Sequence, residues 1–396
     1  MESKQEQIDR LLSRNVESVI EKEHLRKALE SGKKLRVKLG IDPTSPDLHL
    51  GHAVVLQKLK EFQDLGHQIV LIIGDFTARI GDPTGRSQAR KPLSEREIKA
   101  NEKEYLKQAG LIINIKKAEI YHNSGWFLKE GVNGLFALTA AGTMQQMLHR
   151  GDFKERLAAG GDVTVTELLY PLLQGYDSVK VRADAELGGN DQLLNLLAGR
   201  RVQRHFGMEE QDVLTTPLLE GLDGKKKMSK SYGNYIGLTD APEDMFGKTM
   251  SIPDQLVEKY FLFCTELPDA EIKLSQKEMG PKEFKEQLGF ELVKLYHGEK
   301  AAHAARERFE MLFSKKEIPD DIPELRIPGG KLSALDLVAA SGAAKSKSDA
   351  RRLIEQGGVE LAGKTLKNPL EVLSIKGGEV VKVGKKRFFK MAISKK

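Results

Sequence analysis

The feature of this sequence that most constrains its fold is the alternation of strand-like and helix-like segments in its first half. Residues 35–41 alternate in polarity, as a short strand does. Residues 52–65 repeat apolar side chains at helical spacing, and Gly66 follows as a helix terminator. Residues 69–73 form a continuous apolar run, which is typical of a strand buried on both faces. This rhythm predicts a doubly wound parallel sheet of the α/β class.

Later segments continue the pattern. Ser94 and Glu97 form a capping box, which predicts a helix that extends to about Gln108. Apolar residues at helical spacing, Ile20 among them, predict that residues 1–33 are helical. The remaining predicted elements are a helix over residues 166–177, a strand over 185–187, a helix over 191–204 and a strand over 212–219.

Composition divides the chain into four parts. Residues 1–239 form the α/β domain, with the N-terminal helices at 1–33. Residues 240–317 carry amphipathic helical patterns only, which predicts an α-helical domain. Residues 318–330 are rich in proline and glycine and are interpreted as a linker. Residues 331–396 then form a small separate domain.

Charge distribution and cysteine content indicate the kind of binding partner and the cellular compartment. Residues 331–396 hold 15 Lys and Arg against 6 Asp and Glu, a net charge of +9, whereas the rest of the chain is at −3. Such a local basic excess indicates a polyanion partner, although a solubilising surface is the alternative. Cys264 is the only cysteine, and we find neither a signal peptide nor an 18-residue apolar run, so a cytoplasmic protein without membrane contact is expected.

Two histidines flank a glycine where the first strand gives way to the first helix. His49 and His52 there stand beyond the carboxyl end of a parallel strand, where such sheets bind ligands. The helix N-terminus offers free N–H groups to phosphate, and Gly51 lets a flat base approach the backbone. The imidazoles can donate hydrogen bonds to phosphate oxygens. A lone histidine is more often structural, but this arrangement favours nucleotidyl transfer, a chemistry that several enzyme classes share.

A lysine pair on a flexible segment is the more specific signal. Lys227 and Lys230 belong to the sequence Lys-Met-Ser-Lys-Ser, which follows the polar, glycine-containing residues 221–224. Two ammonium groups on a mobile loop can close on a triphosphate as pyrophosphate leaves, which stabilises the transition state selectively. A surface basic patch is the alternative, but it would not need the ordered Met-Ser-Lys-Ser.

The order of the motifs resembles that of the bacterial tyrosyl-tRNA synthetases, which are class I aminoacyl-tRNA synthetases. The matching segments, spread over roughly residues 35–390, are Asp42-Pro43-Thr44, His49 to His52, Gly81 to Arg86, Tyr170 to Asp177, Gly188 to Gln192 and Lys227 to Ser231. The resemblance implies a Rossmann-like catalytic domain with a dimerisation insertion, an α-helical domain for the anticodon region of tRNA, and a C-terminal domain of the αL RNA-binding type. It also implies tyrosine–tRNA ligase activity, in which tyrosine and Mg²⁺-ATP give tyrosyl-adenylate before transfer to the terminal adenosine of tRNA(Tyr).

The resemblance assigns roles to individual residues. Around ATP it places Asp42, Thr44, His49, Gly51 and His52, with Asp191 at the ribose and Lys227, Lys230 and Arg86 at the phosphates. Around tyrosine it places Asp82, Tyr170 and Gln174 at the α-ammonium, Asp177 at the phenol and Gln192 near the carboxylate. Tyr170, Gln174 and Asp177 are spaced so that one helix face presents all three. A plain turn is the alternative for Asp82 before proline. No protein-bound metal is expected.

One position departs from the family pattern. Several relatives carry a tyrosine on the first strand that touches the phenol, and this chain has Lys38 or a neighbour there. The sequence therefore does not determine which side chains contact the hydroxyl group of the tyrosine substrate.

The C-terminal domain contains a compact basic helix. Ser346 caps it through Asp349, and glycines end it before a strand. Lys347, Arg351 and Arg352 project from this helix and are predicted to contact RNA phosphates, as in the αL fold of a small-subunit ribosomal protein that the segment resembles. An ordinary helix with exposed basic residues is the alternative.

Three other functions and one assembly question are left open by the sequence. A tryptophan-specific relative would share both signatures, a non-catalytic RNA-binding paralogue would be expected to have lost them, and a small-metabolite nucleotidyltransferase would not need the C-terminal domain. The resemblance implies a homodimer. The apolar segment 134–148 could supply its interface or could equally belong to the core.

Overall fold

The computed structural model describes residues 3–84, 93–148, 150–312, 322–328, 331–344, 346–375, 377–384 and 387–394. The chain forms two compact units, Met1–His303 and Ala304–Lys396. The division between them falls inside the segment predicted as a separate helical domain. The finer division into four parts stays a prediction.

The first unit is built on a six-stranded sheet. Its strands are β1 (Ser18–Ile20), β2 (Arg36–Ile41), β3 (Gln68–Ile73), β4 (Glu119–His122), β5 (Ala185–Gly189) and β6 (Asp212–Thr216), in the order β1-β6-β5-β2-β3-β4. Strands β2 to β6 are parallel, which confirms the doubly wound prediction. The order reverses between β2 and β5, and ligands bind beside such a reversal.

The edge strand β1 corrects the helical prediction for residues 1–33. Ile20 was expected in a helix, but it pairs with Val213 in an antiparallel edge of the sheet. Three residues between two helices are too few to show strand periodicity, so only the partner strand β6 determines their conformation.

Helices cover both faces of this sheet. They are α1 (Lys4–Leu11), α2 (Lys22–Glu30), α3 (Leu50–Asp64), α4 (Glu95–Ala109), α5 (Ser124–Thr139), α6 (Met144–Leu148), α7 (Gly151–Ala158), α8 (Val165–Val181) and α9 (Leu193–His205). The predicted capping box at Ser94 is present at the start of α4, and Gly66 after α3 has a φ of +90°. Residues 240–310 form one 3₁₀ turn (Asp254–Leu256) and the helices α10 (Pro242–Thr249), α11 (Val257–Cys264), α12 (Asp269–Glu278), α13 (Pro281–His297) and α14 (Glu299–Glu310).

The second unit is a small α+β fold. Its five-stranded sheet has the order β10-β9-β12-β13-β7, and a two-stranded sheet pairs β11 with β8. These elements are β7 (Glu324–Pro328), β8 (Lys331–Ser333), α15 (Ala334–Ala340), α16 (Lys347–Glu355), β9 (Val359–Leu361), β10 (Lys364–Leu366), β11 (Val372–Ser374), β12 (Val380–Val383) and β13 (Arg387–Ser394). Strand β7 lies within residues 318–330, which were interpreted as a linker. This part of the segment is instead a strand of the sheet, where it pairs in parallel with β13.

Candidate active site

A cavity of about 450 Å³ opens at the carboxyl ends of β2, β3, β5 and β6. Thirteen of the residues predicted for the site line it: Asp42, Thr44, His49, Gly51, His52, Asp82, Tyr170, Gln174, Asp177, Asp191, Gln192, Lys227 and Lys230. Arg86 lies outside the described residues. Residues from segments nearly 190 positions apart therefore meet in one place, although their chemical roles stay predictions.

Asp177 is a buried acidic residue that lines the cavity. It lies on α8 with only 3% of its surface exposed. Trp126 donates its indole N–H to Oδ1 at 3.0 Å, and Asn123 donates its amide to Oδ2 at 3.3 Å. Burial raises the pKa of Asp177 to about 7, while the nearby Lys38 ammonium acts in the opposite direction. This carboxylate is thus aimed and held, and it can accept a further hydrogen bond from a ligand.

Asp82 is fixed by donors from the chain on several sides. Gln192 donates to Oδ2 at 2.6 Å, and the Thr84 hydroxyl donates to Oδ1 at 2.7 Å. Asn195, one turn after Gln192, donates to Oδ1 at 3.3 Å. The buried Arg150 supports this set, because it donates to Asn195 at 2.6 Å and to Thr84 at 3.1 Å. The turn that Asp82 makes with Thr84 is present, and the same carboxylate also lines the cavity.

Asp42, which follows β2, and Tyr170, which lies on α8, both line the cavity and are joined by a hydrogen bond. The Tyr170 hydroxyl donates to Asp42 Oδ2 at 2.9 Å, and the Thr77 hydroxyl donates to Oδ1 at 2.7 Å. Burial and the negative charge of Asp42 raise the pKa of Tyr170, so its hydroxyl keeps its proton. Gly74 is required beside them, because a Cβ there would lie 2.0 Å from Asp42 Oδ1.

The side chain of Lys38 does not line the cavity, whereas that of the next residue, Leu39, does. Its ammonium pairs with Glu186 at 2.9 Å, and both side chains are fully buried. Of the candidates for the position that departs from the family pattern, Lys38 does not line the cavity, whereas its neighbours Leu39 and Gly40 do.

The two histidines lie together at the start of α3. Their ring centroids are 3.9 Å apart, and the backbone N–H of His49 donates to Nδ1 of His52 at 3.2 Å. Burial lowers the pKa of His49 to about 2 and that of His52 to about 4, and the nearby lysine charges add to both effects. Both imidazoles are therefore neutral at pH 7. In the described part of the chain, the buried Nδ1 of His49 has no hydrogen-bond partner.

Lys227 and Lys230 of the lysine segment line the cavity and are held by acidic and hydroxyl groups. Lys227 donates to Asp191 Oδ2 at 2.7 Å. Lys230 donates to the Ser45 hydroxyl at 2.6 Å and lies 3.4 Å from Asp47 Oδ2. Burial lowers the pKa of Lys230. Both ammonium groups already face the cavity but are engaged with groups that a ligand could replace.

Several residues of the site were missed by the sequence reasoning. They are Thr77, Asn123, Trp126, Arg150 and Asn195. Four of them donate to a predicted site residue, and Arg150 acts one step further out, because it donates to Asn195. Two of them carried a usable signal. Trp126 is the only tryptophan of the chain, and Asn195 follows Gln192 at helical spacing.

The predicted RNA-binding residues lie on α16 of the second unit. Ser346 caps this helix as predicted, and Lys347, Arg351 and Arg352 are exposed. Arg352 donates to Asp349 at 2.7 Å, so part of its charge is neutralised within the helix.

The described ranges hold neither a metal-binding cluster nor a membrane-spanning helix. No group of three or more His, Cys, Asp or Glu side chains there could hold a metal ion. No helix in the same ranges is long and apolar enough to cross a bilayer.

The chain is similar to known proteins over nearly its whole length. Residues 30–314 match the family described as tRNA synthetases class I (W and Y), and residues 335–381 match the S4 domain. The tyrosine–tRNA ligase of Thermotoga maritima is 47% identical over 97% of this chain and 96% of its own length. That of Aquifex aeolicus is also 47% identical, over 96% of this chain and 97% of its own.

Solved structures share the fold. The C-terminally truncated mitochondrial tyrosyl-tRNA synthetase of Aspergillus nidulans superposes with a TM-score of 0.66 at 23% identity, covering 79% of this chain and 95% of that one. The tyrosyl-tRNA synthetase of Archaeoglobus fulgidus, complexed with L-tyrosine, superposes with a TM-score of 0.62 at 23% identity, covering 77% of this chain and all of that one.

Proposed function

The chain belongs to the class I tRNA synthetases of the tryptophan and tyrosine type and functions as a tyrosine–tRNA ligase, and we propose that the cavity described above joins L-tyrosine to ATP. The observation that carries this proposal is the placement of Asp177. Asp177 is a buried carboxylate held by two fixed donors, and it lines the same cavity as Lys227 and Lys230.

Tyrosine binds with its phenol toward Asp177. The carboxylate accepts the phenol O–H, and a ligand without that hydroxyl would leave the buried group with an unfilled position, which costs free energy. Asp82, Tyr170 and Gln174 surround the α-ammonium, and Gln192 lies near the carboxylate. Asp82 and Gln192 support these roles because they are already joined at 2.6 Å and so present a fixed surface.

Adenylate formation proceeds by direct attack. A carboxylate oxygen of tyrosine bonds to the α-phosphorus of Mg²⁺-ATP, and the bond from that phosphorus to the β-phosphate oxygen breaks to release pyrophosphate. Both reactants are already competent, so the protein contributes positioning and electrostatics. The neutral His49 and His52 donate to phosphate oxygens, and Lys227 and Lys230, with Arg86, neutralise the leaving pyrophosphate.

The remaining nucleotide contacts follow from the lining of the cavity. Asp191 accepts from the ribose, Gly51 admits the adenine, and Asp42 and Thr44 lie beside the phosphates. In the second step, a ribose hydroxyl of the terminal tRNA adenosine attacks the adenylate carbonyl and releases AMP.

The second unit holds the tRNA. Lys347, Arg351 and Arg352 are exposed on one short helix, so they can contact backbone phosphates, which position the nucleic acid more than they specify it. The test is to substitute Lys347 and Arg351 with alanine together. Charging of tRNA should weaken and become less dependent on salt, while adenylate formation stays unchanged. Equal loss of both activities would count against this division of labour.

The active form is a homodimer that associates through α5 and α6. Phe136 is 71% exposed and Met144 is 65% exposed in the single chain, and Leu128 and Val132 on α5 are also exposed. Leu138, by contrast, is buried in the core, so the segment 134–148 serves both purposes. Sedimentation should give a dimer that Phe136→Glu converts to a monomer; a wild-type monomer would refute the assignment.

The experiment that tests the function is ATP–pyrophosphate exchange with tyrosine, phenylalanine and tryptophan in parallel. Exchange with tyrosine alone supports both the chemistry and the pocket. Exchange with tryptophan would keep the mechanism and overturn the pocket, and no exchange in folded protein would favour an RNA-binding paralogue. Residence in the cytoplasm, where ATP and tRNA are supplied, remains part of the proposal.

A further inference from the structure

A fully buried ion pair lies directly behind the amino-acid end of the cavity. The Lys38 ammonium lies 2.9 Å from the Glu186 carboxylate, and it donates hydrogen bonds to the Gln174 carbonyl at 2.8 Å and to the Ser178 hydroxyl at 2.8 Å. Removing two charges from water is costly, and such a pair contributes little net stability compared with apolar side chains. Its presence beside a binding surface therefore calls for another explanation.

Glu186 determines the orientation of the hydrogen-bonding groups that surround it. It accepts from the Gln174 side-chain amide at 3.2 Å and from the Ser178 hydroxyl at 3.1 Å, and it also accepts from Gln211. An ionised carboxylate has no hydrogen to donate, so each neighbour must turn a donor toward it. Gln174 therefore points its NH₂ group at Glu186, and its Oε1 atom is turned away.

The orientation of Gln174 matters because this residue lines the cavity. An amide oxygen attracts an ammonium group, whereas an amide NH₂ would set two donors against each other. We propose that the Lys38–Glu186 pair is a positioning device that orients the Gln174 amide with its oxygen toward the ligand, and that it thereby determines selection for a free α-ammonium group. The inference rests on the proposed placement of the amino acid near Gln174.

Packing around the pair restricts its movement. A Cβ at Gly199 would come 2.6 Å from Gln211 Nε2 and 3.2 Å from Glu186 Oε2, so α9 closes the far side of the pair. The pair is consequently held from β2, β5, α8 and α9 at once. A purely structural role is the alternative, and it predicts a loss of stability without a change in which ligands are preferred.

The experiment uses ligands that differ in one group. Tyramine keeps the ammonium and lacks the carboxylate, and 3-(4-hydroxyphenyl)propionate keeps the carboxylate and lacks the ammonium. In Glu186→Gln, and in the doubly neutral Lys38→Met/Glu186→Gln protein if the single variant fails to fold, the KM for tyrosine and the Ki of tyramine should rise roughly tenfold. The Ki of the propionate and the KM for ATP should stay unchanged.

A matched control is Glu167, which lies on α8 as Gln174 does. Arg156 and Glu167 form another buried ion pair at 2.5 Å, and neither lines the cavity. Glu167→Gln should lower stability without changing the ratio of the two inhibition constants. An equal rise for all ligands in Glu186→Gln, or the same ratio change in Glu167→Gln, would overturn the inference.

One further variant separates this inference from the proposed binding mode. Gln174→Ala should weaken tyrosine and tyramine but not the propionate. If it does so while both Glu186 variants bind all ligands as the wild type does, the positioning inference alone is wrong. If Gln174→Ala leaves tyramine binding unchanged, the placement of the amino acid is wrong, and the positioning inference falls with it.

Discussion

The two ends of the cavity are prepared for their ligands in different ways. At the amino-acid end, Asp177 and Asp82 are buried or half-buried and are held by neutral donors that leave room for a further partner. At the phosphate end, Lys227 and Lys230 are more exposed and are held by groups of opposite charge or by a hydroxyl. In the proposed mechanism, the first end is a rigid surface that selects tyrosine, and the second exchanges partners as pyrophosphate leaves. Recognition and acceleration are thus assigned to different kinds of contact.

The largest effect should follow removal of a cation from the phosphate end. Lys230→Ala should lower the rate of adenylate formation by about 10²–10³-fold, the usual range for one transition-state contact, with little change in tyrosine affinity. Pre-steady-state measurement of the first turnover checks this. Lys226→Ala is the control, because Lys226 is exposed on the same segment and does not line the cavity. An unchanged first-turnover rate in Lys230→Ala would erase the distinction between the two ends.

A change at the selecting end should act on tyrosine alone. Asp177→Asn leaves one acceptor oxygen for Trp126 and Asn123, so kcat/KM for tyrosine should fall roughly 10- to 100-fold, the effect of losing a hydrogen bond to a charged group. The KM for ATP should stay the same. Asp75→Asn is a suitable control, since Asp75 accepts from Ser124 without lining the cavity. Comparable losses for both substrates would show that Asp177 is structural.

The pH dependence should distinguish the ends further. The pKa of Asp177 is raised to about 7, so its carboxylate gains a proton as the pH falls through 7 and can no longer accept from the phenol in the same way. We expect kcat/KM for tyrosine to fall up to tenfold per pH unit below that point. The histidines, with pKa values near 2 and 4, stay neutral over this range and cannot produce the effect. A profile that persists in Asp177→Asn would assign the titration to another group.

The smallest effect should come from a carboxylate that holds a lysine. Asp191→Asn removes a partly exposed ion pair, and such pairs contribute little to stability. The KM for ATP should rise roughly fivefold, through the lost ribose contact. Asp47→Asn, which loosens Lys230 instead, should leave that KM closer to the wild-type value. A larger effect on tyrosine than on ATP in Asp191→Asn would contradict the separation.

Motifs at strand ends were predictable because local sequence determines them. The histidine and lysine signatures, the capped helix α4 and the parallel sheet follow from periodicity, caps and turn residues within short windows. The supporting contacts do not. Trp126 reaches Asp177 across 51 positions and Arg150 reaches Thr84 across 66, and only the assembled fold shows which residues become neighbours. The local sequence was insufficient for Lys38 as well. Its position on the first strand suggested a pocket residue, but in the fold its side chain is buried against Glu186 and does not line the cavity.

The contact between His49 and His52 has a consequence for where a single hydrogen atom resides. Since Nδ1 of His52 accepts from a backbone N–H, the proton of this neutral ring must sit on Nε2. The tautomer is therefore chosen by the main chain at the start of α3, before any nucleotide arrives. In the proposed mechanism, therefore, no proton has to be taken up from solvent when a phosphate oxygen approaches, because the ring already carries its donor hydrogen on Nε2.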